Sequence, residues 1–100
     1  MNVSYLAAAD SELTQAINFY NNQRANLGFE FADQVKEALE RIKNYPEAWT
    51  PLSRRVRRCQ VHRFPYSVFY QLRDDLVLVV AIQHHRRKPE NWRARLRQDR

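Results

Sequence analysis

Two arginine-rich runs and three histidines are the residues of this chain best suited to chemistry. Arg54-Arg55 and Arg57-Arg58 form one run, and Arg86-Arg87-Lys88 forms the other. A guanidinium grips phosphate or carboxylate through parallel N–H donors, so these runs suit a polyanion or an acidic protein surface. His62 and the adjacent pair His84-His85 titrate near neutral pH and are the candidate acids and bases. Neighbours at a strand end point to opposite faces, so one of His84 and His85 is expected to be structural. As metal ligands the histidines lack company: no Asp, Glu or Cys stands at ligand spacing, and the single cysteine, Cys59, reads as core. Neither a metal nor another cofactor is expected. One Gly and four Pro leave no room for a Gly-rich phosphate loop, which excludes G-x-G-x-x-G and Walker-type motifs.

These residues sit on a chain of 100 residues, one domain's worth. Hydrophobic residues make up 44% and charged residues 28%, which is the balance of a globular protein. The longest apolar run, Leu76–Ile82, is seven residues long, against the ~20 of a membrane-spanning helix. No apolar leader follows Met1, and a lone cysteine fits a reducing compartment, so a cytoplasmic location is expected. The net charge of +6 is unevenly spread. Residues 1–50 carry −3 and residues 51–100 carry +9, and 14 of the 17 basic residues are Arg. A basic half of this kind points to an anionic partner.

The elements that must position the basic residues follow from periodicity. Val3–Leu6 is short and β-prone. Asp10 is the expected N-cap of a helix opening at Ser11, with Leu13, Ala16, Ile17 and Tyr20 on one face. Gly28 is expected in the connection between helices, where a positive φ suits it. A second helix buries Phe31, Val35, Ala38, Leu39 and Ile42, and Tyr45-Pro46 ends it. After Pro51 the period becomes 2. A strand over Val56–His62 turns Cys59 and Val61 one way and Arg58, Gln60 and His62 the other. In the next strand Tyr66, Val68, Tyr70 and Leu72 share the helix side, and Ser67, Phe69 and Gln71 share the far side. Asp74-Asp75 makes a tight turn. Leu76–Ile82, apolar on both faces, is a central strand. A short helix over Glu90–Arg97 follows Pro89, anchored by Trp92.

The order is β-α-α-β-β-β with a short C-terminal helix. It predicts an α+β domain over residues 1–100, with a helical hairpin on one face of a four-stranded, mostly antiparallel sheet. The other face is expected to be polar, basic and half open. Phe69 stands out there as an apolar ring, either covered through Trp92 or serving as an interface anchor. The two basic runs are expected to converge on one sheet edge.

The chain resembles the RelE/ParE toxin superfamily. The resemblance rests on Phe19-Tyr20, Leu27-Gly28 with Phe31, and Ala38-Leu39 with Ile42 and Pro46. It continues in Arg63-Phe64-Pro65-Tyr66-Ser67-Val68-Phe69-Tyr70 and in Val80–Arg87 ahead of Pro89 and Trp92. It implies the toxin of a type II toxin–antitoxin pair of the plasmid-stabilisation kind. It also implies a cognate antitoxin whose acidic C-terminal segment wraps the toxin, and higher-order assembly with it. RelE-like members cut mRNA on the ribosome without metal; ParE-like members poison DNA gyrase by binding.

Metal-free RNA cleavage needs a base for the 2′-hydroxyl, an acid for the leaving oxygen and cations on the phosphate. RelE-like members carry two basic residues on alternate positions of one strand, an Arg after the third-strand Tyr, an Arg after the fourth strand and often a C-terminal Tyr. Here Arg58 and Arg87 match. Gln60 and Ser67 replace cations, and no Tyr follows Arg87. The resemblance therefore favours the ParE-like branch, with DNA gyrase as target and no enzymatic activity. A ribosome-dependent nuclease using Arg58, His62, His85 and Arg87 is the alternative. The expected partner surface comprises Arg54, Arg55, Arg57, Arg58, Phe69, Arg86, Arg87 and Trp92.

Overall fold

The structure is a computed structural model, and it describes residues 1–87 and 91–98. Lys88, Pro89 and Glu90, assigned above to the end of the second basic run and the start of the last helix, lie outside the described residues. The elements run β1 (Asn2–Tyr5), α1 (Ala7–Gln23), α2 (Leu27–Asn44), β2 (Thr50–Pro51), β3 (Val56–Gln60), β4 (Tyr66–Arg73), β5 (Leu76–His84) and α3 (Asn91–Gln98). The sheet has five strands in the order β1-β5-β4-β3-β2. The β1–β5 pair is parallel and the others are antiparallel. The fifth strand is β2, two residues that pair with Arg57 and Arg58; so short a strand leaves no periodicity to read.

The helical hairpin lies on one face as the stripes require. Phe31, Val35, Ala38, Leu39 and Ile42 of α2 are buried against Val68 and Tyr70 of β4, with Leu13, Ile17, Tyr66 and Leu72 at the margin. Tyr70 is fully buried, and its hydroxyl donates to the Pro46 carbonyl at 2.6 Å. Burial pushes that phenol up to about 12, so it stays a donor throughout the neutral range.

Two helix boundaries differ from expectation. α1 opens at Ala7 with Leu6 as an extended N-cap lacking a side-chain bond, so Asp10 lies inside the first turn. The chain turns directly from β1 into the helix, and Asp10 N–H already bonds the Leu6 carbonyl. Gly28 has a helical φ; the positive φ belongs to Asn26, at 69°. What requires glycine is proximity. A Cβ there would stand 2.0 Å from the Ile17 carbonyl oxygen, and the Gly28 N–H donates to Asn21 Oδ1 at 2.7 Å. Gly28 is where the two helices touch backbone to backbone.

β5 lies inside the sheet and is apolar on both faces, and an irregularity in its pairing with β4 decides which of its residues face which way. Phe69 pairs with Ala81 and Tyr70 with Val79, which leaves Val80 as an extra residue. Side-chain parity flips there. Val77, Val79 and Ile82 enter the core under the hairpin, while Val80 and Ala81 enter a second core with Val56, Phe69 and Trp92. That second core corrects the expected open face. α3 covers it, Ser67, Phe69 and Gln71 are buried, and Trp92 is only 3% exposed. Phe69 therefore belongs to this chain's own packing through Trp92.

Candidate functional site

Among the described residues the best-connected polar group is Glu12, on α1. β1 stops pairing at Tyr5 opposite Val79, yet β5 continues to His84. The backbone edge so exposed is met by side chains. Glu12 Oε1 accepts from the Ile82 N–H at 3.1 Å, and Arg95 of α3 donates to the Val80 carbonyl at 3.1 Å. Arg95 also grips Glu12 with both nitrogens, at 2.6 and 2.8 Å. Gln83 Nε2 donates to Glu12 at 3.0 Å and Arg87 at 3.2 Å. Burial pushes the Glu12 carboxyl up, but the bonds from Arg95, Gln83 and the Ile82 N–H outweigh it and hold the pKa below its usual value. One carboxylate thus ties α1, β5, α3 and the segment after β5 together.

Sequence reading missed Glu12 because an acid on an amphipathic helix is ordinarily wet. The available signal was its row: Ala9, Glu12 and Ala16 share one line of α1, and all three are buried. Small residues on both sides of an acid mark a place where another element comes close.

The candidate catalytic residues are not assembled into a relay. Ser67 Oγ and His85 Nε2 lie 3.0 Å apart, but Ser67 is 1% exposed. His84 is half-buried, edge-on to Tyr66, and its Nδ1 accepts from the Arg86 N–H. His62 is exposed in the turn after β3 rather than within the strand. Arg58 is exposed on β3 opposite Phe69, while Arg87 is engaged by Glu12. Beside Glu12 a cleft of about 320 Å³ is lined by Tyr66, His84, Arg87 and Phe19.

The basic runs lie at opposite ends of the sheet. Val56, following Arg54-Arg55, pairs with Gln71, whereas His84, preceding Arg86-Arg87, pairs with Tyr66. That separates them by about 17 Å of strand. Arg57 turns to the helix side and donates to the Trp49 carbonyl at 2.8 Å. Arg54 and Arg55 are exposed and line a larger cleft of about 770 Å³ with Arg97 of α3. Cys59 is buried, and burial pushes its thiol up against the opposing pull of Arg41, so it is a core residue rather than a nucleophile.

A helical hairpin on one face of this sheet, a short helix on the other and an arginine-rich second half define a small basic α+β protein. The chain matches the family described as the ParE toxin of the type II toxin-antitoxin system, parDE, over residues 3–89, and it belongs to that family. Among solved structures it is similar to one titled "Chromosomal ParDE TA system from P. aeruginosa". That match has a TM-score of 0.61 at 14% identity and covers 84% of this chain and 95% of the other, a likeness of fold. No curated protein matches it in sequence. Membership in the family implies an antitoxin partner. No described helix is long and apolar enough to cross a membrane.

Proposed function

We propose that this chain is a ParE-like toxin that acts by binding DNA gyrase, and that an antitoxin with an acidic segment on residues 51–100 neutralises it. The observation that carries the reading is the filled second face of the sheet. Where a RelE-like nuclease needs cations around a phosphate, this chain has Ser67 buried beside His85 and Phe69 buried in the core that Trp92 closes. Gln60 and Ser67 supply no charge, and Arg87 is already bonded to Glu12. Each missing transition-state donor costs about 10²–10³ in rate. A toxin that works by binding needs a surface and no proton relay.

The test is expression from a tight promoter in cells lacking the antitoxin, with purified gyrase assayed in parallel. Trapped gyrase cleavage complexes and DNA-damage signalling are expected while translation continues. Immediate translation arrest with codon-phased mRNA cuts, lost in His62→Ala or His85→Ala, would overturn the reading in favour of a histidine-based ribonuclease. For the antitoxin, Arg58→Glu is expected to slow association and flatten its salt dependence, because exposed charges act at the encounter step.

A further inference from the structure

We propose that Glu12 and Arg95 guard the free edge of β5 against strand addition, and that the strand this edge fits is the same edge of a second copy of the chain.

The free edge has a definite window. β1 pairs with β5 only as far as Val79, and β5 runs on to His84. Val80–His84 therefore has β4 on one side and no strand on the other. A bare edge of that kind is a template for another chain. The strand adds to the hazard. Leu76–Ile82 is seven apolar residues with no charge, Gly or Pro, the composition of segments that stack into cross-β assemblies.

The side-chain bonds show which backbone groups face outward. The Ile82 N–H goes to Glu12 and the Val80 carbonyl to Arg95, so neither points at β4. By the alternation of an antiparallel ladder, the Ile82 carbonyl and the His84 N–H lie on the same open side. Two copies laid antiparallel fill this window in one register, with Ile82 opposite Ile82 and Val80 opposite His84. Each Ile82 would exchange N–H···O bonds with its twin, and each His84 N–H would meet a Val80 carbonyl. A shift one way runs the strand into the partner's β1, and a shift the other way runs it past His84. The contact is self-complementary and closes as a twofold dimer. The donor and the acceptor that Glu12 and Arg95 hold are the ones this ladder needs. Helix α1 does not close the edge off, because the cleft of about 320 Å³ beside Glu12 reaches Ile82, Gln83 and His84. An apolar residue at position 12 would fill the same space without the desolvation that burial imposes on a carboxylate, but it could not occupy the Ile82 N–H.

The experiment is sedimentation velocity with amide hydrogen exchange. It is run at about 0.15 M salt, where repulsion between two copies of net charge +6 is screened beyond ~8 Å. Wild type is expected to sediment as one chain, with fast exchange at the His84 amide. In Glu12→Ala the mass is expected to double as concentration rises, and His84 exchange to slow by about tenfold or more. Arg95→Ala, which frees the Val80 carbonyl and leaves the core under the helical hairpin untouched, is expected to shift in the same direction. Glu12→Gln still offers a carbonyl to the Ile82 N–H and is expected to stay a single chain. Glu12→Ala/His84→Pro, which deletes an edge N–H where proline is tolerated, is expected to return to a single chain. Glu30→Ala makes the same change of charge away from this edge and is expected to do nothing to the mass. A single-chain mass in both Glu12→Ala and Arg95→Ala would overturn the proposal. A doubled mass that survives His84→Pro would overturn it by moving the contact elsewhere. Pairing in Glu12→Gln equal to that in Glu12→Ala would overturn it by reducing the guard to its charge. Wild type already paired, with slow His84 exchange, would show that nothing is guarded.

Discussion

Glu12 does for β5 what β1 is too short to do, and its replacement is the most informative single change. Glu12→Gln keeps the shape but removes the charge facing Arg95 and Arg87, at about 2–3 kcal/mol of stability; the denaturant midpoint measures it. The pH dependence has a definite sign. The folded pKa lies below the ordinary 4.5, so the unfolded chain takes up the proton first as pH falls. Glu12 therefore stabilises the fold fully above about pH 5, and the contribution disappears as pH drops through the lowered folded value. A wild-type stability profile that loses ground below pH 4.5, beside a Gln variant lacking that part of the slope, is the expected result. Gly28→Ala opposes two effects at one position. Helix propensity favours Ala by about 1 kcal/mol, but the new methyl meets the Ile17 backbone at 2.0 Å. Backbone cannot swing away as a side chain can, so net destabilisation is expected in thermal unfolding.

Among the elements, α2 and α3 depend on burial in different ways. α2 sits in the main core, and Leu39→Ala is expected to cost about 2–5 kcal/mol in global unfolding. α3 is held chiefly by Trp92 in the second core and by Arg95 on Glu12. Trp92→Ala is expected to loosen α3 and expose Phe69, Val80 and Ala81, read as increased binding of an apolar dye with far-ultraviolet circular dichroism largely kept. This contrast also explains what the sequence disclosed. The stripes of α2 and β4 were legible because each repeats its own period over many residues, and the two periods predict the same interface. The cover over Ser67, Phe69 and Gln71 was left open, because a short arginine-rich helix offers only Trp92 and Leu96, one turn apart, as apolar anchors. The partners of Glu12 were illegible for a related reason: they lie 70 to 83 residues away in sequence, and its row with Ala9 and Ala16 marks a close approach without saying what approaches. The convergence of the basic runs failed on register, since strand direction sends them to opposite ends of the sheet.

At the scale of the whole molecule, charge and topology divide the labour. The acidic half makes the helical hairpin, and the basic half makes most of the sheet and its cover, so the two halves attract across the core while the outer arginines remain for a partner. The parallel pairing of β1 with β5 sets a further condition, and it concerns time. Asn2–Tyr5 has its only strand partners at Leu76–Val79. At about 5–20 residues per second, synthesis separates the two strands by roughly 4–15 s. Through that interval the helical hairpin exists without the central strand it must cover, and its apolar stripe has nothing to close on. A fragment ending at Arg73 is therefore expected to be digested by protease as an unfolded chain, while the full chain resists. A polypeptide interrupted before β5 is expected to lack the partner surface for the same reason: that surface comes into being only after the last strand has left the ribosome.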